Sequence, residues 1–187
     1  MNQPAPAGNP PLVAGRSCGD CHVCCYALRI DEPDMQKPAG AVCKFLDDHG
    51  CTIYERRFPT CRSWLCGWWF QPELGDQWRP DLCGVLLIPE VTPTPGFNVM
   101  GYKIQLASKE ALASPEVLNK LCGFIAGGTP IYLSLEGQAT KAFLNPVLSP
   151  LITAGDGTAI TVSLGRLLRE LSAAHAASAY SPGPGAR

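Results

Sequence analysis

Eight cysteines lie close together near the beginning of this chain, and this cluster restricts the possible fold and chemistry more than any other feature. They fall between Cys18 and Cys66, and the whole chain of 187 residues has ten. The residues before Cys18 have neither a basic start nor the apolar stretch of about 7–15 residues that a secretory signal requires. We therefore predict a cytoplasmic protein. Thiols stay reduced in the cytoplasm, so a dense cysteine pattern favours metal binding or redox chemistry over disulfides.

The spacing of the first four cysteines is typical of a loop that binds a metal ion or cluster. They form the pattern CxxCxxCC, and a two-residue spacing lets successive thiolates turn toward one ion. A loop with three such ligands needs at least a fourth from another part of the chain. Eight thiols divide either into two four-thiolate sites or into one cluster and a second metal. The predicted metal ligands are Cys18, Cys21, Cys24, Cys25, Cys43, Cys51, Cys61 and Cys66.

The arrangement of these eight cysteines resembles that of a known family. After CxxCxxCC come the lone Cys43 and then GCTIYERRFPTCRSWLC, which contains the remaining three. Residues 18–88, including the stretch RPDLCGV, are similar to the YkgJ-like CxxCxxCC cysteine-cluster family, whose members are described as zinc- or iron-chelating proteins. The resemblance implies that the eight cysteines bind metal. The family also includes flagellin lysine methylases that are thought to use an iron-sulfur cluster.

The identity of the metal stays open between zinc and an iron-sulfur cluster. Two zinc ions held by eight thiolates would leave a net charge of about minus four, and one 4Fe-4S cluster held by four thiolates about minus two. Both need positive charge nearby, and Arg56, Arg57 and Arg62 lie between Cys51 and Cys66. Repeated two-residue spacings are more typical of cubane clusters, whereas the Cys-Pro step of the ferredoxin pattern is missing.

We predict a bacterial-type protein that binds metal, and two alternative functions stay open. The first is an iron-sulfur-dependent redox or methyl-transfer enzyme related to the flagellin lysine methylases, and the second is a metal-handling or delivery module. With 15 Lys and Arg against 16 Asp and Glu, the chain lacks the broad positive field that attracts nucleic acid. No run approaches the roughly 18–20 apolar residues of a membrane span. We therefore expect neither nucleic acid nor a membrane as a partner.

The order of the predicted elements favours an α+β fold in a single domain, residues 17–180. A small irregular cysteine-rich region, 17–88, is expected to pack on an antiparallel sheet with helices formed by residues 89–180. The proline-rich segments 1–16 and 181–187 are predicted to be disordered tails. We predict strands in CGVLLIPE, GYKIQLA, PIYLSLEG and KAFLN, the last two around a turn at Gly137, and helices in SPEVLNKLCGFIAGG and VSLGRLLRELSAAHAAS.

Other chemically active residues near the cluster have simpler interpretations. The four tryptophans are expected to form the hydrophobic cover of a small metal site. Cys122 lies on the apolar face of a predicted helix and Cys83 begins a predicted strand, so we expect both to pack in the interior. His49 is expected in a solvated loop, and the position of His22 inside the ligand loop is compatible with a supporting contact.

Overall fold

The computed structural model describes residues 11–90, 92–107, 109–135 and 140–179. Short helices and two small hairpins make up the part of the chain before residue 84, and a four-stranded sheet with three helices follows. The α+β class predicted from the sequence is confirmed. No helix within the described ranges is long and apolar enough to span a bilayer.

The cysteine-rich part contains only short elements because proline, glycine and the closely spaced cysteines interrupt every regular run. Its strands pair as two antiparallel hairpins, and single turns of 3-10 helix connect the later elements. The elements are α1 (Val23–Ala27), β1 (Ile30–Glu32), β2 (Met35–Lys37), β3 (Leu46–Asp47), β4 (Gly50–Cys51), α2 (Pro59–Ser63) and α3 (Pro80–Cys83), with 3-10 turns at Tyr54–Arg56, Gly67–Trp69 and Asp76–Trp78.

The second part is built on one sheet in the order β5-β6-β7-β8, which comprises Val85–Glu90, Gly101–Leu106, Ile131–Leu135 and Ala142–Phe143. The β5–β6 and β7–β8 pairs are antiparallel, as we predicted, but β6 and β7 run parallel. The sheet is therefore mixed. The physical reason is α4 (Pro115–Ala126), which carries the chain back across the sheet before β7 begins, as a parallel pair requires. The predicted turn at Gly137 lies outside the described residues.

Among the described residues, three α-helices and a 3-10 helix at Lys109–Ala113 accompany this sheet, and two of the α-helices were predicted. Helix α4 begins after Ser114 and ends at Gly127, and α6 spans Gly157–Ala179. The third, α5 (Asn145–Ala154), was not predicted; it has a proline in its first turn and another, Pro150, inside it. The buried Asn145 side chain accepts a hydrogen bond from the Ile131 backbone N–H at 2.8 Å, and this contact ties the start of α5 to β7.

A continuous hydrophobic core joins the two parts. Val23 and Ala27 of α1, together with Cys66 and Trp68, belong to the same buried cluster as the inner residues of β5, β6, β7 and α4. The Gln105 side chain of β6 also donates a hydrogen bond to the Ala27 carbonyl at 2.9 Å, across 78 positions of sequence. The sheet therefore supports the loops that carry the cysteines.

Residues 11–16, which belong to the segment predicted as a tail, contact the cysteine-rich part. The Val13 N–H donates to the Trp69 carbonyl at 2.9 Å, and the Arg16 guanidinium lies 4.7 Å from the ring centroid of Trp68. Residues 1–10 and 180–187 lie outside the described part of the chain. The whole of the second predicted tail, 181–187, is among these residues.

Candidate metal centre

The CxxCxxCC segment forms two successive tight turns that run into α1. The Cys21 N–H donates to the Cys18 carbonyl at 2.9 Å, and the Cys25 N–H donates to the His22 carbonyl at 2.8 Å. Gly19 makes the first turn possible, because its φ is +50° and a Cβ there would lie 3.1 Å from Nη1 of Arg79. The two-residue spacing thus produces the turns that the sequence analysis predicted.

The remaining thiols come from three other elements that surround this segment. The Cys43 N–H donates to the Cys25 carbonyl at 3.0 Å, which joins the long loop after β2 to α1. Cys51 pairs with Leu46 in the β3–β4 hairpin, and Cys61 lies in α2. Cys66 is buried and directly precedes the 3-10 turn at Gly67–Trp69.

Seven of the eight predicted ligands line one cavity of about 320 Å³. Each of the seven is partly exposed, whereas Cys66 is buried. The other lining residues include aliphatic and aromatic side chains, among them Ile30, Phe45, Ile53 and Trp64. The structure therefore brings cysteines that are distant in sequence to the wall of a common, largely apolar cavity.

The effects of the thiols on one another's pKa values group them four and four, and the hydrogen bond between Cys24 and Cys25 joins the two groups. The first group is Cys18, Cys21, Cys24 and Cys66, and the second is Cys25, Cys43, Cys51 and Cys61. Burial and the charges of Cys18 and Cys21 raise the pKa of Cys66 to about 12. Burial and the charges of the other three members of the second group raise the pKa of Cys61. The two groups meet at the neighbouring residues Cys24 and Cys25.

A side-chain hydrogen bond between Cys24 and Cys25 shifts the pKa values of the two thiols in opposite directions. A hydrogen bond between the two side chains raises the pKa of Cys24, and burial adds to the rise. The same hydrogen bond lowers the pKa of Cys25 to about 7 against the effect of burial, and the charges of Lys37 and Arg57 contribute. Cys25 is therefore the thiol of this pair that ionises more readily, and the thiolate is the form that binds metals.

Asp81 is a residue of the site that the sequence analysis did not identify. Burial, with the nearby Asp81 carboxylate, raises the pKa of Cys21 to about 11. Two hydrogen bonds of 2.8 Å from the Arg79 guanidinium hold this carboxylate in place. Burial opposes ionisation of Asp81, but the hydrogen bonds from Arg79 and Cys21 lower its pKa overall. The signal available was its place in RPDLCGV, next to the cysteine pattern.

Of the three arginines predicted to offset the thiolate charge, only Arg57 lies at the cavity. Arg57 lines the cavity, and its guanidinium carbon lies over the Tyr54 ring, 3.7 Å from the ring centroid. Arg56 and Arg62 are exposed and do not line the cavity. Lys37, from β2, acts on Cys25 as well. Its role depends on a hairpin that places it near α1, and no local pattern in the sequence indicates that contact.

His22 and His49 line the cavity. The His22 Nδ1 atom lies 2.6 Å from the Asp20 carbonyl, and its Nε2 side faces Gly50. His49 is exposed, as predicted for a loop residue, and its backbone N–H donates to Asp47 at 2.8 Å. Gly50 has a φ of +114°, and a Cβ there would lie 2.9 Å from His22 Nε2. His22 therefore packs the ligand loop against the β3–β4 hairpin.

The two cysteines outside the pattern contact other parts of the structure. Cys83 ends α3, not the strand that we predicted it would begin, and its thiol faces the carbonyls of Trp78 at 3.5 Å and Val85 at 3.4 Å. Burial raises the pKa of Cys83 to about 11. Cys122 packs against the core from α4. Trp68 and Trp78 are buried and Trp64 and Trp69 are packed against the core, but of these four side chains only Trp64 lines the cavity of the cysteines.

The sulfur atoms are gathered but are not in a ligand geometry. Among the residues that the structure describes, no group of three or more His, Cys, Asp or Glu side chains is arranged so that it could hold a metal ion. The charges of the thiols nevertheless act on one another within each group of four. Binding would therefore require side-chain rotations that turn the sulfur atoms of a group toward one point.

No family model, curated protein or solved structure matches this chain. The resemblance to the YkgJ-like family therefore stays a prediction from the cysteine pattern.

Proposed function

We propose that this protein binds metal through its eight clustered cysteines, as zinc ions or as an iron-sulfur cluster. One observation carries the proposal: elements separated by up to 43 positions, from Cys18 to Cys61, bring seven of the eight thiols to one cavity, and the buried eighth, Cys66, is close enough to Cys18 and Cys21 for their charges to raise its pKa. A chain of this size could bury these residues apart from one another as small hydrophobes. Their convergence supports a common ligand.

The chemistry of the donors fits both metals. Four thiolates satisfy zinc in tetrahedral geometry, and four thiolates also hold the common iron-sulfur clusters. The two groups of four supply two such ligand sets, with Cys18, Cys21, Cys24 and Cys66 in one and Cys25, Cys43, Cys51 and Cys61 in the other. The charges of Lys37 and Arg57 favour thiolate at Cys25 in the second set. In the first set, Asp81 lies beside Cys21 and is held by Arg79.

Elemental analysis of protein purified without oxygen tests the proposal, with an absorption spectrum to distinguish iron-sulfur from zinc. We expect stoichiometric iron or zinc in the wild type and loss of metal in Cys21→Ser. Cys122→Ser is the matched control, because Cys122 lies on α4 and packs against the core. It should keep its metal and lose about 1 kcal/mol of stability. Metal at trace levels in the wild type, or equal loss in both variants, contradicts the proposal.

A second pair of variants tests the division into two sets. Cys66→Ser removes a ligand from the first set and Cys61→Ser removes one from the second. If each set holds its own metal, each variant loses part of the metal and the double variant loses all of it. If only one of the two substitutions removes all the metal, a single set of four holds it. If each of them removes everything, the eight thiols act as one cooperative site and the division is wrong.

A metal-handling or delivery role is the second candidate, and the openness of the cavity favours it. Seven of the eight thiols are partly exposed at the cavity, so a competing ligand can reach them. A chelator should then remove the metal in minutes while the circular dichroism of the sheet and helices persists. Removal that unfolds the chain points to a structural metal instead.

A further inference from the structure

A second cavity, of about 590 Å³, lies between the cysteine-rich part and strand β6. Three cationic residues line it, Arg29, Lys37 and Lys103, together with Gln36 and Gln105 and short apolar side chains. None of the described residues that line it is acidic. A cavity that concentrates one sign of charge raises the local concentration of ions of the opposite sign.

Lys103 is the central feature of this cavity. It lies in the middle of β6, where it pairs with Ile88 of β5 and Tyr132 of β7, and it is half-buried. In the described part of the chain its ammonium has no hydrogen-bond or ion-pair partner. The nearby carboxylate of Glu90 forms a salt bridge with Lys141 instead. A partly buried cation without a partner is costly, and an anionic ligand would offset that cost.

The other two cations differ in how firmly they are held. Lys37 is only 4% exposed, and its ammonium donates to the carbonyls of Tyr26, Pro38 and Ala41 at 3.1, 3.2 and 2.8 Å. It is therefore a fixed positive charge in the wall. Arg29 is at the rim, largely exposed, in a salt bridge with Asp31 at 2.8 Å. An exposed pair of this kind contributes little stability, so the Arg29 guanidinium is free to reorient.

We propose that this cavity binds a small organic anion, through a carboxylate or phosphate group that contacts Lys103. The short apolar residues Ala27, Leu28 and Ile30 supply a surface for the uncharged part of the molecule. Lys37 contributes a fixed charge and Arg29 a mobile one. The site goes beyond the proposed metal binding and its residues need no metal to form it.

The position of the cavity connects it to the thiols. Leu28, Arg29 and Ile30 line both cavities, so a single short segment separates the proposed anion from the cysteines. A bound anion would therefore be a close neighbour of the metal centre, where a substrate or an exchangeable co-ligand would be expected.

The test compares matched small molecules by NMR titration of the full-length protein at constant ionic strength. Butyrate and propyl phosphate carry the two candidate anionic groups on similar chains, and butyramide is the uncharged counterpart. We expect saturable shifts of the Lys103 and Gln105 amide signals with at least one anion and none with butyramide. The anion that binds more tightly identifies the class of ligand. Equal shifts with butyramide, or no saturable shift with either anion, overturn the proposal.

Variants of Lys103 locate the binding. Lys103→Met should weaken binding of the anion by about tenfold or more, as expected for loss of one hydrogen bond to a charged group. Lys103→Arg should retain it. The control is Lys120→Met, because Lys120 is on α4 and its ammonium donates to the Glu73 carbonyl. Equal weakening in Lys120→Met means that net charge alone is responsible and refutes the site.

Two further measurements on the same samples keep the outcome clear. Spectral dispersion and thermal unfolding show whether Lys103→Met is folded, and Lys103→Gln replaces it if it is not. Metal content is measured in parallel and should equal that of the wild type in every Lys103 variant. Failure of the metal proposal then appears in the elemental analysis, whereas failure of the anion proposal appears in the titration.

Discussion

The substitution Gly67→Ala tests how the cysteine-rich part is joined to the sheet. Gly67 directly follows the predicted ligand Cys66 and is buried. A Cβ at this position would lie 2.8 Å from the Leu87 Cβ and 2.8 Å from the Tyr102 Cε1. Leu87 and Tyr102 are 3% and 1% exposed, so neither can move aside into solvent.

The size of the effect follows from this close approach. An added methyl group in a well-packed core costs typically about 1–3 kcal/mol, because neighbouring side chains or the backbone must shift. For a chain of 187 residues that loss corresponds to a fall in melting temperature of about 2–12 °C. The shift would also move Cys66 relative to Cys18 and Cys21, so we expect metal in the first set of thiols to be held less tightly.

Gly123→Ala is the matched control for this measurement. Gly123 lies inside α4, and nothing is within 4 Å of a Cβ built there. Alanine in a helix interior is more stable than glycine by about 0.5–1 kcal/mol, so this variant should unfold later than the wild type. Urea denaturation followed by circular dichroism measures both. If Gly67→Ala is as stable as the wild type while Gly123→Ala is stabilised, the described packing at Gly67 is wrong.

Three other outcomes follow from the structure. Asn145→Ala should cost about 1–3 kcal/mol in urea denaturation, because the buried Ile131 N–H loses its acceptor; an unchanged midpoint would contradict that contact. Gly50→Ala combines a strained φ of +114° with a clash against His22, so it should lower the metal content, and a fully loaded variant would show that the hairpin can shift at no cost. Metal loading should release protons at neutral pH, since the thiols with pKa values raised to about 11 and 12 are protonated before they bind. The metal affinity should therefore fall as the pH falls. Calorimetry in buffers of different ionisation enthalpy measures the number of protons released, and a value of zero would contradict this prediction.

Much of the second part of the fold could be predicted from local patterns. Short strand-like apolar stretches indicated the four strands of the sheet, and Ser114, Pro115 and Gly127 marked the ends of α4. The parallel pairing of β6 and β7 was missed, although a helix between two strands is typical of it. Helix α5 was missed for another reason. Two prolines in ten residues lower its intrinsic helix propensity, and its burial against α4 and α6 outweighs that loss.

For the candidate metal centre, the sequence indicated which thiols would be near one another but not how they are grouped. The spacing of the cysteines is a local property, and it correctly placed Cys18 and Cys21 in a tight turn. The partner of each thiol depends on contacts between elements far apart in the chain, such as Cys66 with Cys18. Asp81 and Lys37 were missed for the same reason, because only the folded chain brings a carboxylate and an ammonium to these sulfur atoms.

The hydrogen bond from Gln105 to the Ala27 carbonyl has a consequence during synthesis of the protein. The two residues are 78 positions apart, and ribosomes add about 5–20 residues per second. The loop with the first four thiols therefore leaves the ribosome about 4–16 s before the strand that supports it. During that interval the nascent thiols are open to oxidants, because the strand that holds their loop in place has not yet been made.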